Sequence, residues 1–263
     1  MTDQSSSANR TLPLAGAVAL VSGAGGPMGA AVAKRLAADG ASLGLIDISG
    51  RRLAATVEDI QHSYPDIKVH MARANATDEG ETNAAIGEIV DNLGPVTTLV
   101  NVVGGIRGGE LVTPILGMSE ERFDSTFELN LKPLFWMVQA VAPGMVSRKK
   151  GAIVNISSVT YAGDGDQPEY AAAKAAVSSL TRSLAIELAP NVRVNCIVPG
   201  LIQTSVIENA APDMVKDYTN RSLLKRLGQP EDIAGAISFL VGPDSSFITG
   251  AALPVSGGIA ASL

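Results

Sequence analysis

The chain has 263 residues, 46% of them hydrophobic but only 4% aromatic, and 20 Lys and Arg against 26 Asp and Glu give it a net charge of −6. That acidic balance, with no long basic run, excludes a nucleic acid as the expected partner. An interior of Ala, Val, Ile and Leu suits helices packed closely on a parallel sheet. The single cysteine, Cys196, excludes an internal disulfide framework and fits a reducing compartment, the cytoplasm.

In chain order, residues 1–10 read as a polar, disordered tail and 11–263 as one domain. The apolar stretch after Arg10 soon meets Gly23, Gly25 and Gly26 and is too short to span a membrane. Strand-like runs over 17–22, 42–47, 67–72, 96–101, 152–157, 192–198 and 251–255 alternate with helical patterns over 28–39, 51–63, 79–93, 120–146, 169–188 and 231–240. Seven strands joined by helices predict an α/β domain, a parallel sheet with right-handed crossovers and helices on both faces. Cys196 falls in the sixth apolar run, where a buried structural thiol is expected.

The first strand runs into Ser22-Gly23-Ala24-Gly25-Gly26-Pro27-Met28-Gly29 and then an Ala-rich helix. A Gly-rich turn there lets helix N-terminal amides approach a pyrophosphate, as a dinucleotide would require; the alternative is a plain structural turn. Asp47 ends the second strand, where a carboxylate can accept both adenosine ribose hydroxyls and repel a 2′-phosphate, so NAD is expected over NADP. Asp47 could instead simply cap the next helix. Later, Tyr170 and Lys174 stand four apart in Y-A-A-A-K, on one face of a helix. A Lys beside a phenol is expected to pull the Tyr pKa down toward neutrality, equipping it to exchange a proton with a carbonyl or alcohol.

Taken in order, Ser22–Gly29, Asp47, N-V-V-G at Asn101–Gly104, Asn130 in E-L-N-L-K, I-V-N-I-S-S at Ile153–Ser158, Y-A-A-A-K at Tyr170–Lys174 and P-G-L-I-Q-T at Pro199–Thr204 resemble the short-chain dehydrogenase/reductase family. The closing R-L-G-Q-P-E-D-I-A and I-T-G-A-A-L-P-V-S-G-G belong to the same pattern, so the resemblance runs from Leu12 to the C-terminus. It implies a Rossmann fold and an NAD-dependent oxidoreductase acting on a small-molecule secondary alcohol or ketone. By the same resemblance Tyr170 is the general acid or base and Lys174 lowers its pKa and holds the nicotinamide ribose. Ser158 donates to the substrate oxygen, and Asn130 holds a water that links Lys174 to solvent. Relatives usually place that serine about 13 residues before the tyrosine, which makes Ser157 a rival; Ser158 is preferred because it ends the I-S-S run. For the cofactor, Gly23, Gly25 and the Met28 amide are expected at the phosphates, with Gly29 allowing close helix packing. Asn75 and Ala76 would flank the adenine, and Asn101 through Val103 and Gly104 would pass under the ribose. Pro199, Ile202 and Thr204 would meet the nicotinamide side. Relatives are commonly homotetramers, with homodimers the alternative.

The chain departs from the family at four places. Pro27 replaces a glycine of the phosphate turn, Val102 and Val103 replace the second Asn and the Ala of N-N-A-G, Asn75 replaces an aspartate, and Ser22 replaces a threonine. Pro27 is tolerable because proline suits the first helical position. Near the substrate, Asp164, Asp166 and Glu169 would disfavour an anion if they face inward, pointing to a neutral hydroxylated or cyclic substrate; a solvated loop is the alternative. Arg107, flanked by Gly104, Gly105, Gly108 and Gly109, could instead attract an anion. A 3-oxoacyl-carrier-protein reductase, docking its carrier on Arg148-Lys149-Lys150, is the specific alternative, and a catalytically idle nucleotide-binding or scaffold protein is the alternative of another class. His62, His70 and the acids show no metal-ligand spacing, so no metal is expected.

Overall fold

Seven strands form the sheet: β1 (Val18–Ser22), β2 (Ser42–Asp47), β3 (Val69–Arg73), β4 (Thr98–Asn101), β5 (Gly151–Ile156), β6 (Val192–Pro199) and β7 (Ala252–Val255). All neighbours pair in parallel, in the order β3-β2-β1-β4-β5-β6-β7. The computed structural model describes residues 12–106, 111–204, 207 and 212–260. The expected tail over 1–10 and Arg107 lie outside the described residues.

Helices α1 (Pro27–Ala38), α2 (Gly50–Ser63), α3 (Glu79–Leu93), α4 (Glu120–Ser147), α5 (Pro168–Leu188), α6 (Pro212–Arg221) and α7 (Pro230–Val241) make the connections. The α/β architecture, with helices on both faces, is the one the alternation predicts. Alternate β1 residues serve opposite cores: Ala19 and Val21 face the layer of α1, α2 and α7, while Val18 and Leu20 face α3, α4 and α5. Both layers are built mostly from Ala and aliphatic side chains. Ala33 and Ala37 of α1 and Ala234 of α7 lie in one core, where small residues let these packed helices approach closely.

Strand order reverses at β1. The chain moves outward through β2 and β3, then crosses back to place β4 on the other side of β1. Such a switch leaves a crevice at the carboxyl ends of the strands, because the following connections diverge to opposite faces. Ser22, the last residue of β1, ties the two sides by accepting from the Val102 N–H at 3.2 Å. A serine hydroxyl is therefore sufficient for this tie, where the family resemblance leads one to expect a threonine.

Candidate active site

At that crevice a cleft of about 680 Å³ runs from Asp47 and the Gly-rich turn to Tyr170 and on to Met214 and Tyr218. Its floor comes from the segments that follow the strands: Ala74 to Thr77 after β3, Val102 to Ile106 after β4, Ile156 to Thr160 at β5, and Pro199 to Ile202 at β6.

One end is built from backbone. Gly26 is the N-cap of α1 and Pro27 opens the helix, where its missing N–H is one of the donors no helix uses internally. The first turn of α1 carries no acidic side chain, whereas those of α3, α4 and α7 do. The positive end of the α1 dipole is thus left for an anion. Gly29 is obligatory, because a Cβ there would be driven into the Gly23 carbonyl oxygen. Gly23, Gly26, Pro27, Met28 and Gly29 all line the cleft. Gly25 does not; its N–H donates to Asp47 Oδ2 at 3.0 Å.

Asp47 is buried. Its Oδ1 accepts the Ser49 N–H at 2.8 Å and lies 3.5 Å from the Arg52 guanidinium. The N-cap of α2 is Ser49, whose side chain accepts from the Arg52 N–H, so Asp47 fastens β2 to the Gly-rich turn rather than capping the helix. Asn75 directs its Oδ1 to the Thr77 N–H and hydroxyl, at 3.2 and 2.8 Å, and lines the cleft with Ala76. Val102, Val103 and Gly104 line it as well, and so do Pro199, Ile202 and Thr204. Asn101 does not reach the cleft. Its Nδ2 donates to Asn155 Oδ1 at 2.9 Å, and Asn155 donates onward to Thr181, a buried chain joining β4, β5 and α5.

At the centre, α5 presents Tyr170 and Lys174 on one face, with the ammonium 5.5 Å from the ring centre of the phenol. Lys174 Nζ donates to the Ile156 carbonyl at 2.9 Å, and burial lowers its pKa to about 8. The expected downward shift of Tyr170 is not present: burial pushes its pKa up to about 12, against the pull of a hydrogen bond from Ser158 and with a further upward push from Tyr218. The lysine is spent on a backbone carbonyl and is itself desolvated, so burial dominates the phenol.

Ser158 and Ser157 separate cleanly. Both border the cleft, but the Ser157 hydroxyl is committed elsewhere, donating to the Lys174 carbonyl at 2.9 Å and lying 2.8 Å from the Ser178 hydroxyl. Ser158 faces the cleft beside Tyr170, and its Oγ accepts both the N–H and the hydroxyl of Thr160, at 3.2 and 3.0 Å. With its acceptor sites occupied by Thr160, Ser158 directs its proton to the Tyr170 phenol, beside which a substrate oxygen could take it instead. Asn130 does not line the cleft either. Its Nδ2 donates to the Gly105 and Thr126 carbonyls, each at 2.7 Å, and its Oδ1 accepts the Gly105 N–H at 3.1 Å. The bare Cα of Gly104 fits between Asn130 and Lys174: a Cβ would stand 2.7 Å from Asn130 Oδ1 and 2.9 Å from Lys174 Nζ.

The far end is apolar, lined by Ile106, Leu111, Leu129, Val159, Leu201, Ile207 and Met214 with Gln167 and Tyr218. None of the three carboxylates expected there lines it. Glu169 is fully buried against Arg122, Oε1 to Nε at 2.9 Å, an ion pair joining α4 to α5. Asp164 Oδ1 accepts the Asp166 N–H at 2.9 Å within the turn before α5; neither side chain lines the cleft, but both reach Tyr218 through space, adding to the larger effect of burial in raising its pKa. Sequence reasoning missed Thr160, Gln167, Arg122 and Tyr218. Only Met214 and Tyr218, four apart on α6, left a helical signal that could have been read. Among the described residues no three His, Cys, Asp or Glu gather as a metal site, and no helix is long and apolar enough to cross a membrane.

The family model described as enoyl-(acyl carrier protein) reductase matches residues 23–260. A (2S)-((R)-hydroxy(phenyl)methyl)succinyl-CoA dehydrogenase subunit, BbsD of Thauera aromatica, is 37% identical over 242 residues, 92% of this chain and 95% of that protein. The 3-oxoacyl-(acyl-carrier-protein) reductase FabG of Thermotoga maritima is 36% identical over 248 residues, 94% of this chain and 98% of that protein. Among solved structures, a 7α-hydroxysteroid dehydrogenase complexed with NADH and 7-oxo glycochenodeoxycholic acid superimposes with a TM-score of 0.88 at 34% identity, covering 96% of this chain and 98% of the other.

Proposed function

Because the chain belongs to the short-chain dehydrogenase/reductase family of oxidoreductases, we propose that it is NAD-dependent and transfers a hydride between the nicotinamide and a neutral secondary alcohol or ketone. The carrying observation is that one cleft joins an acid-free helix N-terminus to the Ser158, Tyr170 and Lys174 side chains. The glycine cradle fits a dinucleotide: Gly23, Gly26, Met28 and Gly29 would take the pyrophosphate, Asp47 the adenosine ribose, Asn75 and Ala76 the adenine, and Thr204 the nicotinamide side. A carboxylate side chain, Asp47, stands at the ribose position, which supports NAD over NADP. Arg52, 3.5 Å from Asp47 and half exposed, works against that preference, since a guanidinium there could meet a 2′-phosphate.

Tyr170 gives its proton to the substrate oxygen in reduction and removes it in oxidation. Ser158, its proton left outward by Thr160, donates to the same oxygen as charge develops. Lys174 holds a positive charge beside the phenolate. Asn101 and Asn130 act at one remove, the first through Asn155 and the second by clamping Gly105, so Asn130 fixes the loop that borders Lys174.

A neutral substrate is supported by a new reason. Among the described residues the apolar end carries no charged side chain apart from Lys174. The carrier-protein alternative loses its docking argument: Arg148-Lys149-Lys150 precede β5 at the amino ends of the strands, roughly 20 Å along the strand from the cleft. Exposed Phe123, Phe135 and Ile186 on α4 and α5 support a homotetramer assembled through those helices. The test is a turnover assay of secondary alcohols and ketones with NAD(H) and NADP(H). NAD(H)-linked oxidation or reduction of neutral members is expected; turnover of none with either cofactor would overturn the reading.

A further inference from the structure

Gln167 is the N-cap residue of α5, yet its side chain makes no cap hydrogen bond. It is 8% exposed and lines the cleft; among the described residues no protein group is hydrogen-bonded to its amide, and the amide atoms are not closed off from the cleft. An amide on a largely buried side chain that opens to the cleft and has no protein partner is placed to take a polar partner supplied from there. Gln167 stands three residues before Tyr170, which brings it to the same side of the helix start as the reacting phenol. The surroundings define the partner further. Leu111, Leu129, Val159, Leu201 and Met214 enclose an apolar body and offer nothing to a charge.

We propose that Gln167 is a specificity-determining residue that hydrogen-bonds a second, neutral oxygen on the substrate, a hydroxyl or carbonyl one or two carbons from the reacting carbon. An amide both donates and accepts, so it serves either kind of oxygen. The substrate class becomes the hydroxyketones, oxo esters and corresponding diols rather than plain ketones and alcohols. This inference rests on the oxidoreductase reading above and narrows its substrate.

The experiment compares kcat/KM within two matched pairs, 2-hydroxycyclohexanone against cyclohexanone and ethyl 3-oxobutanoate against 2-hexanone, for the wild type and Gln167→Met. The ratio within a pair is the readout, because intrinsic reactivity and any general loss cancel between enzymes. Loss of one neutral hydrogen bond to a buried amide should lower both ratios by about tenfold, carried mainly in KM. Circular dichroism and NADH titration establish that the variant is folded. If Gln167→Met does not fold, Gln167→Glu substitutes for it: a carboxylate cannot donate to a carbonyl, so the oxo-ester ratio should fall. Ratios unchanged in a folded variant would overturn the proposal and leave the oxidoreductase reading standing. Turnover of no pair member would instead overturn that reading, and this one with it.

Discussion

The two ends of the cleft are built differently. The end beside Asp47 is backbone, with Gly23, Gly26 and Gly29 around the start of α1 and a carboxylate pinned by the Gly25 and Ser49 amides. The end beside Met214 and Tyr218 is side chain, assembled from the segment after β4, from α4, from the turn before α5 and from α6. A backbone site is intolerant of change where a bare Cα is required, as at Gly29, and accommodates it where only the helix start is needed, as at Pro27. A side-chain site can be rebuilt one residue at a time. The difference explains how one family keeps its cofactor end while its members act on different substrates.

Breaking the junction between the ends should have the largest effect. Tyr170→Phe removes the proton carrier and should lower turnover by about 10²–10⁴-fold with NADH binding nearly intact; steady-state kinetics beside a titration checks it, and parallel loss of both would make the tyrosine structural. Next comes the backbone end. Gly29→Ala forces its Cβ against the Gly23 carbonyl, an overpacking cost of about 1–3 kcal/mol that should weaken NADH affinity by roughly 10–100-fold for every substrate alike.

The protonation of Lys174 supplies a third test. Below its pKa of about 8 the ammonium is charged, and above it the phenolate formed during reduction loses its cation. Tyr170, pushed up to about 12, stays protonated through that range. Ketone reduction should therefore be level at low pH and fall above about pH 8, up to about tenfold per unit, in a kcat/KM profile. Thr160→Val frees the Ser158 proton to turn away and should reduce kcat by roughly tenfold with KM little changed, read by initial-rate kinetics. The smallest effect belongs to Asp164→Asn with Asp166→Asn. Neither side chain lines the cleft and both act on Tyr218 only through space, so the preference for neutral over anionic substrates should shift only slightly in paired assays.

The same contrast accounts for what could be read from the residues alone. The second strand and third helix fall where expected, at Ser42–Asp47 and Glu79–Leu93, because apolar runs and the Asp78 cap mark their limits. The third strand begins at Val69 rather than at residue 67, since the Ile67 N–H is used in a turn to the Tyr64 carbonyl. Helix α6 was not anticipated. It buries no residue and is polar on average, so its one signal is the short pair Met214 and Tyr218, which are the α6 residues that line the cleft. Glu169 looked like a cleft carboxylate because nothing local reveals Arg122, 47 residues earlier in the chain and 2.9 Å away in space. The Tyr170 shift was misjudged for a related reason: the spacing to Lys174 is visible in sequence, but the burial that outweighs it is not.

The most direct test of the central claim is a fluorescence titration of the purified protein with NADH and, separately, with NADPH. Tight NADH binding and much weaker NADPH binding is the predicted result, with Asp47 setting the difference and Pro27, Val102 and Val103 tolerated. Tighter binding of NADPH would contradict the role given to Asp47, and binding of neither would contradict the oxidoreductase account and favour an idle scaffold.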